Sequence, residues 1–124
     1  MKAKVSTNMQ NGVVNSVDFA YTRKKRTLNA YDKEYEIPVR TTEFADKLDD
    51  VRTAINEAKK TSETVAALKD GIALFISAEE AERIFPSDKS GEIDVDEITE
   101  FWLALNFEFA RTQNEIIARY TPKK

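Results

Sequence analysis

Six acidic residues in the second half of this 124-residue chain come closest, in type and spacing, to a reactive or metal-binding site. The six are Asp88, Glu92, Asp94, Asp96, Glu97 and Glu100. Paired carboxylates can act as acid and base in glycoside hydrolysis, and oxygen ligands along a loop that ends in Glu can bind calcium. Gly91 and Glu97 fall at the sixth and twelfth positions of a calcium loop, but its first position is Pro86, which has no side-chain oxygen. We therefore expect a turn at Gly91 and a helix capped by Asp94, with no metal and no catalytic pair.

The chain contains no His and no Cys, which removes the commonest general base and the commonest metal ligands. Mechanisms of the Ser-His-Asp or Cys-His type cannot be built from the remaining side chains. Three Gly are too few for a phosphate-cradling loop, and neither a GxGxxG nor a GxxxxGKS/T pattern is present. Disulfides are excluded, which favours a cytoplasmic protein. The composition thus predicts a protein that is not an enzyme and holds no cofactor.

Length and composition fit one globular domain. Hydrophobic residues make up 41% of the chain and charged residues 33%, which is too apolar for a wholly disordered chain. No apolar run approaches the roughly 20 residues that a membrane span needs, so we expect no membrane contact. Residues 1–12 are polar and are expected to be a flexible N-terminus, with Asn11 and Gly12 in a turn, and residues 13–124 are expected to form the domain.

A run of four basic residues near the N-terminus is a second candidate for binding. The run consists of Arg23, Lys24, Lys25 and Arg26. Tyr21 and Tyr31 flank it, so phosphate neutralisation and base stacking could combine there in a nucleic-acid-binding arm. Residues 1–40 carry a net charge of +4 and residues 41–124 a net charge of −7, so the run could equally dock onto the acidic part of another copy. Because the whole chain is acidic, nucleic acid is the less favoured partner.

Alternating apolar residues predict strands in the N-terminal third of the chain. Residues 13–21 alternate with period two, and so do residues 35–39 around Pro38, which restricts that strand to a sheet edge or a strand end. The intervening residues 23–32 are then the long, exposed loop between two paired strands. We therefore predict a β-hairpin arm over residues 13–40.

Apolar residues spaced by three and four predict a helical body over residues 41–124. The first helix is expected to begin at Thr41 or Thr42, the second at Thr61 or Ser62, the third to span 78–84 and the fourth about 94–120. Gly71 either breaks the second helix or marks a close contact between helices. The predicted fold class is α+β and mainly helical: a hairpin followed by three to four helices, with a long C-terminal helix.

The long helix is the strongest candidate for a partner-binding surface. Between residues 101 and 110 it is apolar nearly all round, which indicates burial on more than one side, and another subunit could supply part of that cover. Most of the aromatic residues of this helix are expected to be core, which needs no partner. The candidates for contact with a partner are Phe101, Trp102, Leu105, Phe109, Ile116 and Tyr120.

Residues 71–122 carry a particular order of features: a helix ending in ALFI, a short AEEAERIFP helix, an acidic IDVDEI turn and a long FWLALNFEFAR helix. In this order the stretch resembles the small tail assembly chaperones of long-tailed phages and prophages of Gram-positive bacteria. The resemblance implies a cytoplasmic, self-associating protein without catalytic residues. It also implies binding to the tape-measure protein, which is kept soluble while tail tube subunits assemble.

Two alternatives differ in class from a chaperone. One is a nucleic-acid-binding accessory protein that uses the basic residues 23–26. The other is a structural tail or connector subunit that stays in the virion. The hairpin arm has no counterpart in the resemblance, and it is the feature that keeps both alternatives open.

Overall fold

The computed structural model describes residues 2–8 and 14–122, with side chains from residue 18 onward. The strands are β1 (Lys2–Asn8), β2 (Val14–Ala20), β3 (Thr27–Ala30) and β4 (Lys33–Glu36). The helices are α1 (Thr42–Glu57), α2 (Thr61–Phe75), α3 (Ala78–Ile84) and α4 (Val95–Tyr120), with a 3-10 helix at Ser87–Glu92. The fold is thus mainly helical α+β with a long C-terminal helix, as the sequence predicts.

The strands form two separate antiparallel hairpins, so the prediction of a single hairpin arm over residues 13–40 is wrong. β1 pairs with β2, and β3 pairs with β4, with Leu28 opposite Tyr35. Each strand pairs with its neighbour in sequence, which closes a shorter loop than the predicted pairing of 13–21 with 35–39 and so costs less entropy. The basic residues 23–26 consequently lie in a connector between the hairpins and not at a hairpin tip.

The prediction of a flexible N-terminus is wrong for residues 2–8, because these residues form β1. Their backbone pairs with β2 along its whole length, from Lys2 opposite Ala20 to Asn8 opposite Val14. The sequence does alternate here, but the signal is weak because Ala3 and Val5 are the only apolar residues between the polar ones. Residues 9–13, where a turn at Asn11 and Gly12 is predicted, lie outside the described residues.

The turn that joins β3 to β4 has a backbone conformation that its sequence does not predict. Tyr31 and Asp32 both have positive φ, 52° and 63°, the left-handed conformation that two-residue hairpin turns of type I′ require. Asp tolerates this conformation, whereas Tyr adopts it at a cost. Packing offsets that cost, because the Tyr31 ring lies edge-on to Phe101 and Phe85 at centroid distances of 5.2 and 6.2 Å.

Helices α1 and α2 begin at the residues that the sequence predicts. The Thr41 hydroxyl accepts a hydrogen bond from the Phe44 N–H (3.1 Å) and so caps α1. The Glu63 carboxylate accepts from the N–H groups of Lys59 (2.8 Å) and Lys60 (3.0 Å) at the start of α2, and these bonds lower the pKa of Glu63. Both helix starts are therefore satisfied by local side chains.

Gly71 marks a close contact between helices and does not break α2. The backbone of α2 is continuous through it, and a Cβ atom at this position would lie 2.3 Å from Cζ3 of Trp102 on α4 and 2.8 Å from Cγ1 of Val51 on α1. Only a residue without a side chain lets α2 approach both neighbours this closely.

The core lies where α4 crosses α1 and α2. Phe75 on α2 packs edge-on to Trp102 and to Phe109 at centroid distances of 6.0 and 5.5 Å, and Phe44 on α1 packs on Phe109 at 5.1 Å. Leu48, Ile72, Ile98 and Leu105 are fully buried among these rings. Of the helices that the structure describes, none has the length and hydropathy needed to cross a bilayer.

Candidate partner-binding surface

Four of the six residues proposed on the long helix face the protein's own core. Phe101, Trp102, Leu105 and Phe109 are all buried. The prediction that they contact a partner is wrong, because α1, α2 and the second hairpin already cover that face of α4. Of the other two, Ile116 is half-buried and Tyr120 is exposed.

A second apolar stripe on α4 points away from the core. The exposed fractions are 58% for Leu103, 67% for Phe107, 56% for Ile117 and 71% for Tyr120. The domain itself therefore leaves Leu103 and Phe107 uncovered, and cover from another subunit stays a prediction. The sequence does hold a signal for these residues, since they are the apolar residues left over once the core stripe is assigned.

The exposed stripe has the spacing of a helix-pairing seam. Five positions make up what we call the outer row: Leu103, Phe107, Ala110, Asn114 and Ile117. Their separations of four, three, four and three residues place them within an arc of about 80° on a helix with 3.6 residues per turn. In the heptad notation of coiled coils, Phe107 and Asn114 occupy a positions and the other three occupy d positions.

Hydrogen-bonded polar side chains border the outer row on both sides. Arg111 donates to the Glu108 carboxylate (3.2 Å) on one side of the row. On the other side, the Arg52 guanidinium of α1 donates to the Asn106 amide oxygen (3.1 Å). An apolar centre within a polar rim is the usual anatomy of a protein–protein interface.

The basic run is only partly available for binding. Arg26 is mostly buried: its Nε donates to the Thr112 hydroxyl (2.9 Å) and its guanidinium pairs with the Glu115 carboxylate, which fixes the connector to α4. Arg23 and Lys25 each lie 3.8 Å from the Glu36 carboxylate. Lys24 is exposed. Arg26 is therefore not available to bind phosphate, and the basic run does not lie in an exposed loop between paired strands as predicted.

The acidic stretch that resembles a calcium loop serves the start of α4. The Asp94 carboxylate accepts from the N–H groups of Asp96 (2.9 Å) and Glu97 (3.2 Å), so the predicted cap is confirmed. Glu97 accepts a hydrogen bond from the Tyr31 hydroxyl (2.7 Å), and burial together with this contact raises the pKa of Tyr31. Within residues 2–8 and 14–122, no group of three or more acidic side chains has the geometry of a metal site.

Two further carboxylates brace α3 against its neighbours. Glu80 accepts from Arg83, Lys33 and the Tyr35 hydroxyl, which lowers its pKa to about 2. Glu82 accepts from Lys69 Nζ (2.6 Å) and from both the N–H and the hydroxyl of Ser87, and these bonds lower its pKa to about 2. Both carboxylates are therefore engaged in bonds that hold α3 to its neighbours.

The chain has no significant match among protein-family models, curated proteins or solved structures. Its function must therefore be argued from the surface that it exposes.

Proposed function

We propose that this protein is a non-catalytic assembly protein, a phage tail assembly chaperone, that binds apolar helical segments of a partner through the outer row of α4. The observation that carries the proposal is the exposure of Leu103 and Phe107 in the middle of a well-packed helix. Exposed side chains of this size, aligned at helical spacing, are uncommon on a surface that stays in water. The order of features over residues 71–122 supports the choice of a tail chaperone among proteins that bind helices.

The energetic value of the outer row is large enough for reversible binding. A Phe side chain buries about 150–250 Å², and two-thirds of the Phe107 surface remains exposed. Burying a whole Phe side chain contributes about 1.5–3 kcal/mol, so covering the exposed two-thirds of Phe107 contributes about 1–2 kcal/mol. Leu103 and Ile117 add smaller amounts of the same kind, before the entropic cost of association is subtracted.

A tape-measure protein is the partner that this surface suits. A long chain with repeated apolar helical segments would present stripes with the same three-and-four spacing as the outer row, and helix-on-groove or helix-on-helix packing would cover both. Such a chaperone would act in the host cytoplasm, holding the tape-measure chain until tail tube subunits enclose it. No catalytic group is needed for that work.

Self-association through the same row is part of the proposal. In parallel helix pairs, Asn at a single a position sets the register, because two Asn side chains can bond to each other while any shift leaves them unpaired. Asn114 occupies such a position, with Phe107 one heptad before it. A second copy in parallel register would therefore cover the row when no partner is present.

The absence of Cys makes the paired form directly testable. A single Cys introduced by Ala110→Cys would face its equivalent across a parallel pair and should form a disulfide-linked dimer under mild oxidation. Glu79→Cys, on the exposed side of α3, is the matched control and should stay monomeric. A strictly monomeric protein in light scattering at high micromolar concentration would contradict self-association without contradicting partner binding.

Partner binding is tested by co-expression with the tape-measure protein encoded nearest to this chain. The wild type should keep that protein in the soluble fraction, and the double variant Leu103→Gln, Phe107→Gln should lose most of this effect. Val95→Gln changes an exposed apolar residue on the same helix outside the outer row and should behave as the wild type. If the double variant folds and protects equally well, the outer row is not the chaperone surface.

A further inference from the structure

A pocket of about 260 Å³ opens on the side of α4 away from the outer row. It lies where the connector after β2 and the segment after β4 meet the C-terminal half of α4. Its main lining residues are Tyr21, Val39, Arg40, Phe109, Gln113 and Ile116. Small-molecule sites usually measure about 300–1,000 Å³, so this pocket lies just below that range and suits a small ligand.

The floor and walls of the pocket are apolar. Phe109 and Ile37 belong to the buried core and form the floor, while Ile116 is half-buried beside them. Tyr21 and Val39 are exposed on the two sides. A flat ring could lie between these side chains and replace water there.

The rim of the pocket is positively charged. The Arg40 guanidinium lies over the Phe109 ring, with its central carbon 5.2 Å from the ring centroid. Arg40 also lines the pocket, and a planar guanidinium can bind an anion in a bidentate manner. Lys24 and Arg23 add two more cations to the lining.

The carboxylates near the pocket are held by other cations. Among the described residues that line it, the single carboxylate is Glu108, and Glu108 accepts from Arg111 at 3.2 and 3.4 Å. Arg26 also reaches the lining, but its charge is matched by Glu115. Arg40 and Lys24 therefore supply most of the positive charge of the lining. The Arg23 guanidinium also lines the pocket, but it lies 3.8 Å from the Glu36 carboxylate.

We propose that this pocket binds a small organic anion with a ring-sized apolar body, such as an aromatic carboxylate. The anionic group would bond to Arg40 and Lys24, and the ring would lie between Tyr21 and Val39 over Ile116. The site is separate from the outer row, so it stands whether or not α4 binds a helical partner.

Titration with naphthoate, followed in backbone amide NMR spectra, tests the proposal. The expected result is saturable shifts at Arg40, Phe109 and Gln113, with no comparable shifts at Leu103 and Phe107. Naphthamide, which has the same ring without the charge, should bind at least roughly 10-fold more weakly, a difference of about 1.4 kcal/mol. Equal affinity for the two compounds, or shifts centred on the outer row, overturns the proposal.

Matched variants locate the anion. Arg40→Gln should weaken naphthoate binding roughly 10-fold and leave naphthamide binding unchanged, since a charge-assisted bond is lost. Arg40→Lys keeps the charge but loses the planar guanidinium, so its affinity for naphthoate should lie between those of the wild type and Arg40→Gln. Lys47→Gln, which removes an exposed cation of α1, is the control and should bind as the wild type. If Arg40→Gln unfolds, Lys24→Gln takes its place, and wild-type affinity in the folded variant refutes the site.

Discussion

Gly71 lies where α2 crosses α4, and we expect the substitution Gly71→Ala to destabilise the protein although Ala is the better helix former. The added Cβ atom would lie 2.3 Å from Cζ3 and 2.8 Å from Cη2 of the Trp102 ring, and 2.8 Å from Cγ1 of Val51. Carbon atoms in ordinary contact are about 3.5–4.0 Å apart. The ring would have to move by about 1 Å, and the adjacent Phe75 ring opposes that movement.

The expected loss of stability in Gly71→Ala is the difference between two opposing contributions. Overpacking a core by one methyl group costs about 1–3 kcal/mol, and the upper end applies where two elements must move together. Replacing Gly by Ala inside a helix returns about 1 kcal/mol. The net loss is then about 2 kcal/mol, which for a domain of this size lowers Tm by roughly 8 °C.

Urea and thermal denaturation followed by Trp fluorescence measure this loss, because Trp102 is the single Trp of the chain and lies at the contact. Gly91→Ala is the matched control, since a Cβ atom there meets nothing within 4 Å, and it should leave stability unchanged within about 0.5 kcal/mol. Val51→Ala combined with Gly71→Ala should relieve part of the strain. A Gly71→Ala variant as stable as the wild type would refute the packing argument.

Two other predictions concern the start of α4 and the bonds around α3. Asp94→Ala removes the cap that two N–H groups share and should lower the free energy of unfolding by about 1 kcal/mol in urea denaturation; Asp88→Ala, outside the cap, should change it by less than about 0.5 kcal/mol. The pKa of Glu82 is held at about 2, below its ordinary value of 4.5, so its ionised form stabilises the folded state. That contribution should be complete above pH 4.5 and should be lost as the pH falls towards 2. Glu82→Gln should therefore flatten the acid limb of a stability–pH curve, and an unchanged limb would contradict the role of Lys69 and Ser87 as its donors.

The helices follow from the sequence because their determinants are local. Thr41, Ser77 and Asp94 each accept the first N–H groups of the helix that they precede, and the apolar spacing between the caps is regular. The strands do not follow in the same way, because pairing depends on which segments meet. The type I′ turn at Tyr31 and Asp32 lacks the usual Asn-Gly signal, and the aromatic contacts that stabilise it come from residues more than fifty positions away.

The candidate surface on α4 shows what the apolar spacing of the sequence can and cannot predict. The sequence predicts that residues 101–110 hold more apolar surface than one face of the helix needs, and Leu103 and Phe107 are indeed exposed. It does not decide which stripe faces the core, because the stripe through Trp102 and Leu105 and the stripe through Leu103 and Phe107 both have helical spacing. The partner-binding candidates Phe101, Trp102, Leu105 and Phe109 were placed on the first stripe, which the structure buries in the core.

The contact at Gly71 explains which stripe is buried. Trp102 is the largest side chain of α4, and α2 offers it a place with no side chain at the point of closest approach. Once the indole lies there, the rotation of α4 about its axis is fixed, and Leu103 and Phe107 turn towards solvent. The exposure of the outer row therefore follows from the packing of Trp102 on Gly71. Under the proposed function, a second helix with the same spacing would cover this surface.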